Sequence, residues 1–410
     1  MRGQFPKLVM RDVPLRGKTV LLRVDYNVPL TSKGGVADDF RIRMSVPTVR
    51  ALLDQGCKVV VISHLGRPEG KVVPALSLEP AALRLAELLD EPVRFVDRCI
   101  GPRARMAVKR APRRSVIVLE NLRFHPEETA NSPKFARELA AASGASLFVQ
   151  DGFGVVHRAH ASTSAITMEL PSVAGLLLER EYLTITRAMQ RPARPFVAVL
   201  GGAKVSDKIG VIEALIDVAD TIIIGGAMAN TFLATRGTYM AASKVEADQK
   251  PIVDAIYEKA IAKVGRKHVD DFLVLPVDVG VGRSLEPHAT RQESSVRAIP
   301  AGTMALDLGP RSVKKITQNV KKAHTVIWNG PLGYSEIPAF ATASANLAQL
   351  LADSPKDFSI VGGGDTADFA INWDPRHGDS FDHVSTGGGA TLELMSGKSL
   401  PGIDALLDAR

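Results

Sequence analysis

Short β-branched runs recur along this chain, each closed by glycine or a polar cluster and followed by a helical pattern. In the first half they fall at residues 20–24, 59–62, 116–119 and 146–149. In the second half they fall at 196–200, 221–224, 272–275, 325–328, 358–361 and 383–384. Strands of this length alternating with helices build βαβ units and parallel sheets buried on both faces. Ten such strands are too many for one comfortable sheet, so the rhythm predicts two sheets in two domains. A length of 410 residues agrees, since domains average roughly 150 residues.

The boundary is expected in the proline-flanked stretch 171–195. Ser172 is placed to cap a helix running through Leu176, Leu177, Leu178, Tyr182 and Leu183. Pro192 and Pro195 stop any helix before the next strand. The reading is therefore an N-terminal lobe over 1–171, a linking helix or hinge over 172–195 and a C-terminal lobe over 196–386. The remaining residues, 387–410, are too few for another lobe and must dock on one already built.

Composition excludes several classes. Cys57 and Cys99 are the only cysteines, too few for a disulfide scaffold or a four-thiolate zinc site, and they fit a reducing compartment. The N-terminus carries no apolar signal core, and no apolar run reaches the ~18 residues needed to cross a bilayer. A cytoplasmic protein is expected. The formal charge of +7 is modest for this length and favours an anionic partner without naming it.

Ligands of open parallel sheets bind beyond the carboxyl ends of the strands, and these ends differ between the halves. In the first half they read Asp25-Tyr26-Asn27, Ser63-His64-Leu65-Gly66-Arg67-Pro68, Glu120-Asn121-Leu122-Arg123 and Gln150-Asp151-Gly152, the last followed by His157-Arg158-Ala159-His160. A lone loop arginine is normally just solvated. Several strand ends that each supply Arg or His, with Arg41 nearby, point to a cationic basin for a small, highly anionic substrate.

In the second half the ends are glycine-rich: Gly201–Lys208, Gly225–Met228, Asn329–Gly333, Gly362–Thr366 and Ser385–Thr391. One glycine pair is usually a tight turn. Five on successive strands, each leading toward a helix N-terminus, suit nucleotide phosphates. Asp365 adds an oxygen ligand for Mg²⁺.

Other signals fail on spacing. Gly17-Lys18-Thr19 and Gly397-Lys398-Ser399 resemble phosphate-loop endings, but Asp12 and Leu392 stand where the leading glycine belongs. His157 and His160 have no further ligand at metal spacing. A dehydrogenase needs an early glycine fingerprint, and only the late, loose match at 362–367 exists. A non-catalytic nucleotide-binding protein would not need Arg41, Lys204 and Asp365 together. Neither an RNP-type aromatic pattern nor zinc-finger spacing appears, so no nucleic-acid partner is expected.

At RVDYNVP (23–29), SHLGRP (63–68), LENLRFHPEE (119–128), DGFGVVHRAHAS (151–162), GGAKVSDK (201–208), NGPLG (329–333), GGGDTA (362–367) and STGGGATLELMSGKSLPG (385–402), the chain closely resembles the phosphoglycerate kinase family. The resemblance implies two Rossmann-like lobes, each a mostly parallel sheet flanked by helices, joined by a hinge helix, with the C-terminal segment returning to the first lobe. It implies reversible transfer of the acyl phosphate of 1,3-bisphosphoglycerate to ADP with Mg²⁺, in a monomer whose partners are small molecules and not nucleic acid or membrane.

Position by position, the resemblance assigns phosphoglycerate to Asp25, Asn27, Arg41, His64, Arg67, Arg123 and Arg158. It assigns nucleotide to Gly202, Ala203, Lys208, Gly226, Asn329, Pro331, Glu336, Gly363, Gly364, Asp365 and Thr366, and the metal to Asp365. Arg41, Lys204, Gly387 and Gly388 would surround the phosphoryl group in flight. Two places depart from the usual wording. Val155-Val156 stand where smaller residues are common, and Tyr334-Ser335 replace Val-Phe beside the nucleotide.

Overall fold

The structure, a computed structural model, describes residues 5–354 and 358–409. Residues 1–4 of the N-terminal stretch read for a signal segment lie outside the described residues. The chain forms two compact units, Met1–Thr184 with Ser399–Arg410, and Ile185–Lys398. Among the described residues no helix is long and apolar enough to cross a membrane.

In the first unit, β1 (Thr19–Arg23), β2 (Lys58–Ile62), β3 (Val93–Val96), β4 (Ser115–Leu119), β5 (Leu147–Gln150) and β6 (Ser172–Ala174) form one sheet in the order β3-β4-β2-β1-β5-β6. Every pairing is parallel, with Val20 opposite Val59 on one side and Leu147 on the other. Leu21, Val60, Ile62, Ile117, Leu119 and Phe148 pack against Phe135 and Leu139 of the helix Pro133–Ser143 and Ala104 and Val108 of the helix Gly101–Arg110. Each such fully buried large side chain contributes roughly 1.5–3 kcal/mol. Strand order reverses between β1 and β5, where this fold type binds ligands.

The boundary region differs locally from its reading. Ser172 opens β6 instead of capping a helix, and its hydroxyl donates to Leu170 O at 2.7 Å. The helix Leu176–Gln190 follows. Its N-terminal amides at Leu177 and Leu178 are met by Asp151 Oδ1, at 2.9 and 3.3 Å. A capping residue 25 positions away is invisible to local patterns.

The C-terminal segment closes the first unit. Leu407 N–H donates to Ser172 O at 3.0 Å, Leu8 N–H to Leu407 O at 2.8 Å, and Gly402 N–H to Val156 O at 2.8 Å. Leu400, Ile403 and Leu406 are buried there. The bulk at Val156 therefore packs against Gly402, where an added Cβ would meet Val156 Cα at 2.9 Å.

In the second unit, β7 (Phe196–Leu200), β8 (Thr221–Ile224), β9 (Leu273–Val274), β13 (Thr325–Asn329), β14 (Phe358–Gly362) and β15 (His383–Val384) form a parallel sheet ordered β15-β14-β13-β7-β8-β9. Its order reverses between β7 and β13. A second, antiparallel sheet of β10 (Asp278–Gly282), β11 (Gln292–Ser295) and β12 (Met304–Leu308), ordered β11-β10-β12, was not expected. Its strands alternate buried and open positions or carry polar residues, so they lack the continuous apolar runs of the parallel strands.

Candidate active site

In the first unit the polar strand ends converge. Arg41, in the first turn of the helix Phe40–Asp54, donates from Nη1 to Asp25 Oδ2 at 3.0 Å and to Asn27 O at 3.2 Å. Gly66 N–H reaches Asn27 Oδ1 at 2.8 Å, and Gly66 O accepts from Arg123 Nη1 at 2.8 Å. Exposed Arg67 follows Gly66 directly, in a turn after β2 that is fixed from both sides. Arg158 is also exposed and donates from Nε to His157 Nε2 at 3.1 Å.

Arg23, Arg123, Arg158 and His160 share one electrostatic field. Burial pushes the Arg123 guanidinium down to about 10, helped by Arg158 and Arg23. Burial, again with Arg23 and Arg123, pushes His160 down to about 4. Like charges tolerate such crowding when an anion shares the site.

Arg23 is the residue that the sequence reading left out. It ends β1 and is 1% exposed. It donates from Nε to Ser162 Oγ at 2.9 Å and lies 3.2 Å through Nη2 from His64 Nδ1. Ser162 in turn donates to buried Glu128 at 2.6 Å. A guanidinium can only donate, so Nδ1 of His64 is the acceptor and the ring proton sits on Nε2. Burial and the cations Arg23, Arg123 and Arg41 hold His64 neutral, well below the ordinary imidazole value. A neutral ring with Nε2–H is a fixed donor for a carboxylate or phosphate. The signal in the sequence was a charged residue closing an otherwise apolar strand.

In the second unit a cavity of about 420 Å³, a typical size for a small-molecule site, is lined by Gly202, Ala203, Gly226, Pro331, Glu336 and Asp365 of the expected set. Tyr334, 39% exposed, stands on its wall. Leu285, Met304, Ala305 and Leu306 also line it, and the last three come from the unforeseen strand β12. The turn signals Pro300, Gly302 and Gly309 around that strand were the clue available in the sequence.

Other expected residues build the neighbouring turns. Gly330 N–H donates to Thr366 Oγ1 at 2.6 Å, and Gly387 N–H to Ser385 Oγ at 3.2 Å. Gly387 caps the helix Gly388–Met395 and Gly363 caps the helix Gly364–Trp373. The two N-termini abut, since a Cβ on Gly388 would lie 3.2 Å from Gly364 N. Two sets of free amides and two positive helix ends thus meet in one place. Asn329 is 1% exposed, yet its side-chain Nδ2 has no partner and lies 3.1 Å from where a Gly363 Cβ would stand. An unmet buried donor costs about 1–3 kcal/mol, which an anionic ligand oxygen can recover.

Lys208, expected beside the nucleotide, is anchored by its own chain. Its Nζ donates to Gly201 O at 2.8 Å, Asn329 O at 2.7 Å and Asn329 Oδ1 at 2.6 Å, which engages all three ammonium protons. It ties the ends of β7 and β13 together. Burial lowers its pKa to about 8, against the raising influence of Asp365 and Asp207. Lys204 is exposed and does not line the cavity. The loop after it is held by Glu246, which accepts from Val205 N–H at 2.8 Å and from the Ser206 hydroxyl.

A model of the phosphoglycerate kinase family matches residues 10–398. Phosphoglycerate kinases of Chloroflexus aggregans and Rubrobacter xylanophilus are 46% and 47% identical, over 98% of this chain and 99% and 98% of theirs. The solved phosphoglycerate kinase of Coxiella burnetii superposes with a TM-score of 0.81 at 36% identity, covering 98% of both chains. That of Pyrococcus horikoshii superposes at 0.82 and 30%, covering 97% of this chain and 98% of its own. An arginine-rich basin on one parallel sheet, a glycine-lined cavity on another and a match along nearly the whole length place the chain in the phosphoglycerate kinase family, whose members transfer the acyl phosphate of 1,3-bisphosphoglycerate to ADP and back.

Proposed function

We propose that the first unit holds the phosphoglycerate and the second holds ADP or ATP, and that the chain catalyses direct phosphoryl transfer between them. The observation that carries this reading is the meeting of unpartnered Asn329 Nδ2 with the paired helix ends at Gly364 and Gly388, a ready cradle for phosphate oxygens. On the acid side, Asp25 and Asn27 position Arg41, and His64, Arg67, Arg123 and Arg158 supply the remaining donors.

Phosphoryl transfer passes through a loose in-line state with charge spread over three equatorial oxygens, so positioning and electrostatics do most of the work. Arg41, Lys204 and the amides at Gly387 and Gly388 are the groups proposed to meet that charge. No base is needed toward ATP, because ADP already presents an oxyanion. Transfer requires the bound acid and the bound nucleotide to come into line, so closure of the two units belongs to each turnover.

Asp365 is the proposed Mg²⁺ ligand. Among the described residues no cluster of three or more His, Cys, Asp or Glu forms a metal cage, while Mg²⁺ characteristically takes one or two carboxylates plus substrate phosphates. The donor set fits. When bound, Mg²⁺ neutralises phosphate charge. In the nucleotide cavity Leu285, Met304, Leu306 and Tyr334 would grip a purine by its faces, with Glu336 available to the ribose. The chain is proposed to act as a monomer. Free, buried Cys57 and Cys99 agree with a reducing cytoplasm.

A coupled assay tests the reading. With 3-phosphoglycerate, MgATP and an aldehyde-phosphate dehydrogenase, NADH is consumed only when this chain is present. Saturable NADH binding by the chain itself, with no phosphoryl transfer, would support a dehydrogenase instead.

Lys208 gives a pH signature. Its charge is complete well below pH 8 and is lost as pH rises through 8, because its folded pKa lies near 8 and below the free lysine value. Loss of that cation beneath the proposed phosphate site lowers kcat/KM for ADP as pH rises through 8, approaching tenfold per pH unit. For folding the sign is opposite: the unfolded chain binds the extra proton between pH 8 and the normal lysine pKa, so this group's penalty is relieved there. A kcat/KM for ADP that stays flat to pH 9.5 would remove Lys208 from nucleotide recognition.

A further inference from the structure

The chain's positive charge is not spread out. Residues 94–114 contain seven Arg and one Lys against a single Asp, a net +7 equal to the formal charge of the whole protein. The rest of the chain, including the substrate basin, sums to neutral. Asp97 meets Arg103 at 3.1 Å and Arg98 at 4.0 Å, and Glu91 meets Arg114 at 2.7 Å. Among the described residues Arg94, Arg105, Lys109, Arg110 and Arg113 make no ion pair. Arg105 and Lys109 repel each other at i and i+4 on the helix Gly101–Arg110, a spacing that costs a few tenths of a kcal/mol. Lys109 and Arg110 are favoured at the helix C-terminus. That does not account for Arg103 and Arg105 nearer its positive end, nor for Arg94 on the strand.

These residues surround a built groove. β3 is the outermost strand of its sheet, and between it and the helix runs an open cavity of about 490 Å³. Arg94 and half-buried Phe95 line it from the strand, and Arg103, Met106 and Arg110 from the helix; Glu79 and Asp97 also line it, so its arginines exceed its carboxylates by one. Arg105 and Lys109 occupy the adjoining exposed face.

We propose that this groove and the basic helix beside it form a docking face for single-stranded nucleic acid. Charge complementarity selects a polyanion. The predominance of Arg selects phosphate, which the guanidinium fork grips bidentately, and flat bases, on which it stacks. Phe95 and Met106 give the groove floor an apolar surface for a base. A membrane surface fits less well, because an interfacial helix needs a bulky apolar face and this one exposes only Met106. The expectation of no nucleic-acid partner rested on the missing RNP-type pattern and zinc-finger spacing; the concentration of +7 in 21 residues is a separate signal.

The probe is a fluorescein-labelled single-stranded U15 RNA, followed by anisotropy with the full-length protein from 50 to 200 mM KCl. Five unpaired cations predict a slope of log K against log salt of about −3.5. The triple variant Arg105→Glu, Lys109→Glu, Arg110→Glu alters only exposed residues outside the proposed phosphoryl-transfer site. It should retain full kinase turnover while losing at least tenfold in RNA affinity and flattening the slope by about 2. Three outcomes would overturn the proposal. One is no binding at 50 mM salt. A second is RNA binding that ATP or 3-phosphoglycerate abolishes but the triple variant retains. The third is binding to phosphatidylserine vesicles without binding to U15.

Discussion

Arg41→Ala is expected to lower kcat about 100-fold at saturating 3-phosphoglycerate and MgATP, a loss of ~3 kcal/mol of transition-state stabilisation comparable with removing one oxyanion donor. Both of its hydrogen bonds, to Asp25 and to Asn27 O, use Nη1. Nη2 and Nε are left for a ligand, and the side chain stays a quarter exposed although its anchor Asp25 is buried. A group held by two rigid acceptors loses little further entropy when charge develops in front of it. Arg41→Lys keeps the charge and gives up the planar fork, so it should recover only part of the rate. Folding should hardly change, since the pair with Asp25 is part-exposed and removing Arg41 leaves Asp25 with the Asn27 N–H at 3.2 Å. Steady-state kinetics decide the matter: a raised KM for 3-phosphoglycerate with kcat intact would make Arg41 a ground-state contact and end its assignment to the chemistry.

How much of this was legible follows from the range of each interaction. The parallel strands announce themselves because both faces are buried, so their residues form unbroken apolar runs such as 196–200 and 59–62. The candidate site residues sit at strand ends because the topology puts them there, and His64, Arg123, Asn329 and Asp365 could be named as candidates from position alone. The antiparallel sheet escaped, since Gln292–Ser295 is polar throughout and Met304–Leu308 interleaves Asp307 with apolar residues. With it went Met304, Ala305 and Leu306 of the cavity wall. Arg23 escaped because its partners Ser162 and Glu128 are more than a hundred residues away. Lys208 was expected at the nucleotide only through the family resemblance. Only coordinates reveal three backbone and amide oxygens closing around its Nζ.

Gly226→Ala should disable the second unit more severely than any charge change. Gly226 opens the helix Gly226–Thr235 with a φ of +61°, and an added Cβ would lie 2.6 Å from both Gly202 N and Gly202 O and 2.9 Å from Pro331 O. These are backbone atoms of the turns after β7 and β13, so nothing flexible can swing aside. The turns are already locked together by Gly226 N–H to Leu332 O at 3.0 Å, Met228 N–H to Gly202 O at 3.0 Å and Gly202 N–H to Pro331 O at 2.9 Å. A methyl group can enter only by breaking such bonds, each worth about 1 kcal/mol net and more when a buried group is left unpaired. Together with left-handed strain of about 1 kcal/mol, the expected loss is ~4 kcal/mol, at turns that line the cavity through Gly202, Gly226 and Pro331. Gly237→Ala is the matched control: its φ is +86°, nothing lies within 4 Å of the added Cβ, and only the strain remains. Trp328 and Trp373, the only tryptophans, both lie in this unit, so urea unfolding followed by their fluorescence reports it alone. Equal midpoints for the two variants would show that the turns at Gly202 and Pro331 yield to a side chain, and that close packing of the strand ends does not shape the nucleotide site.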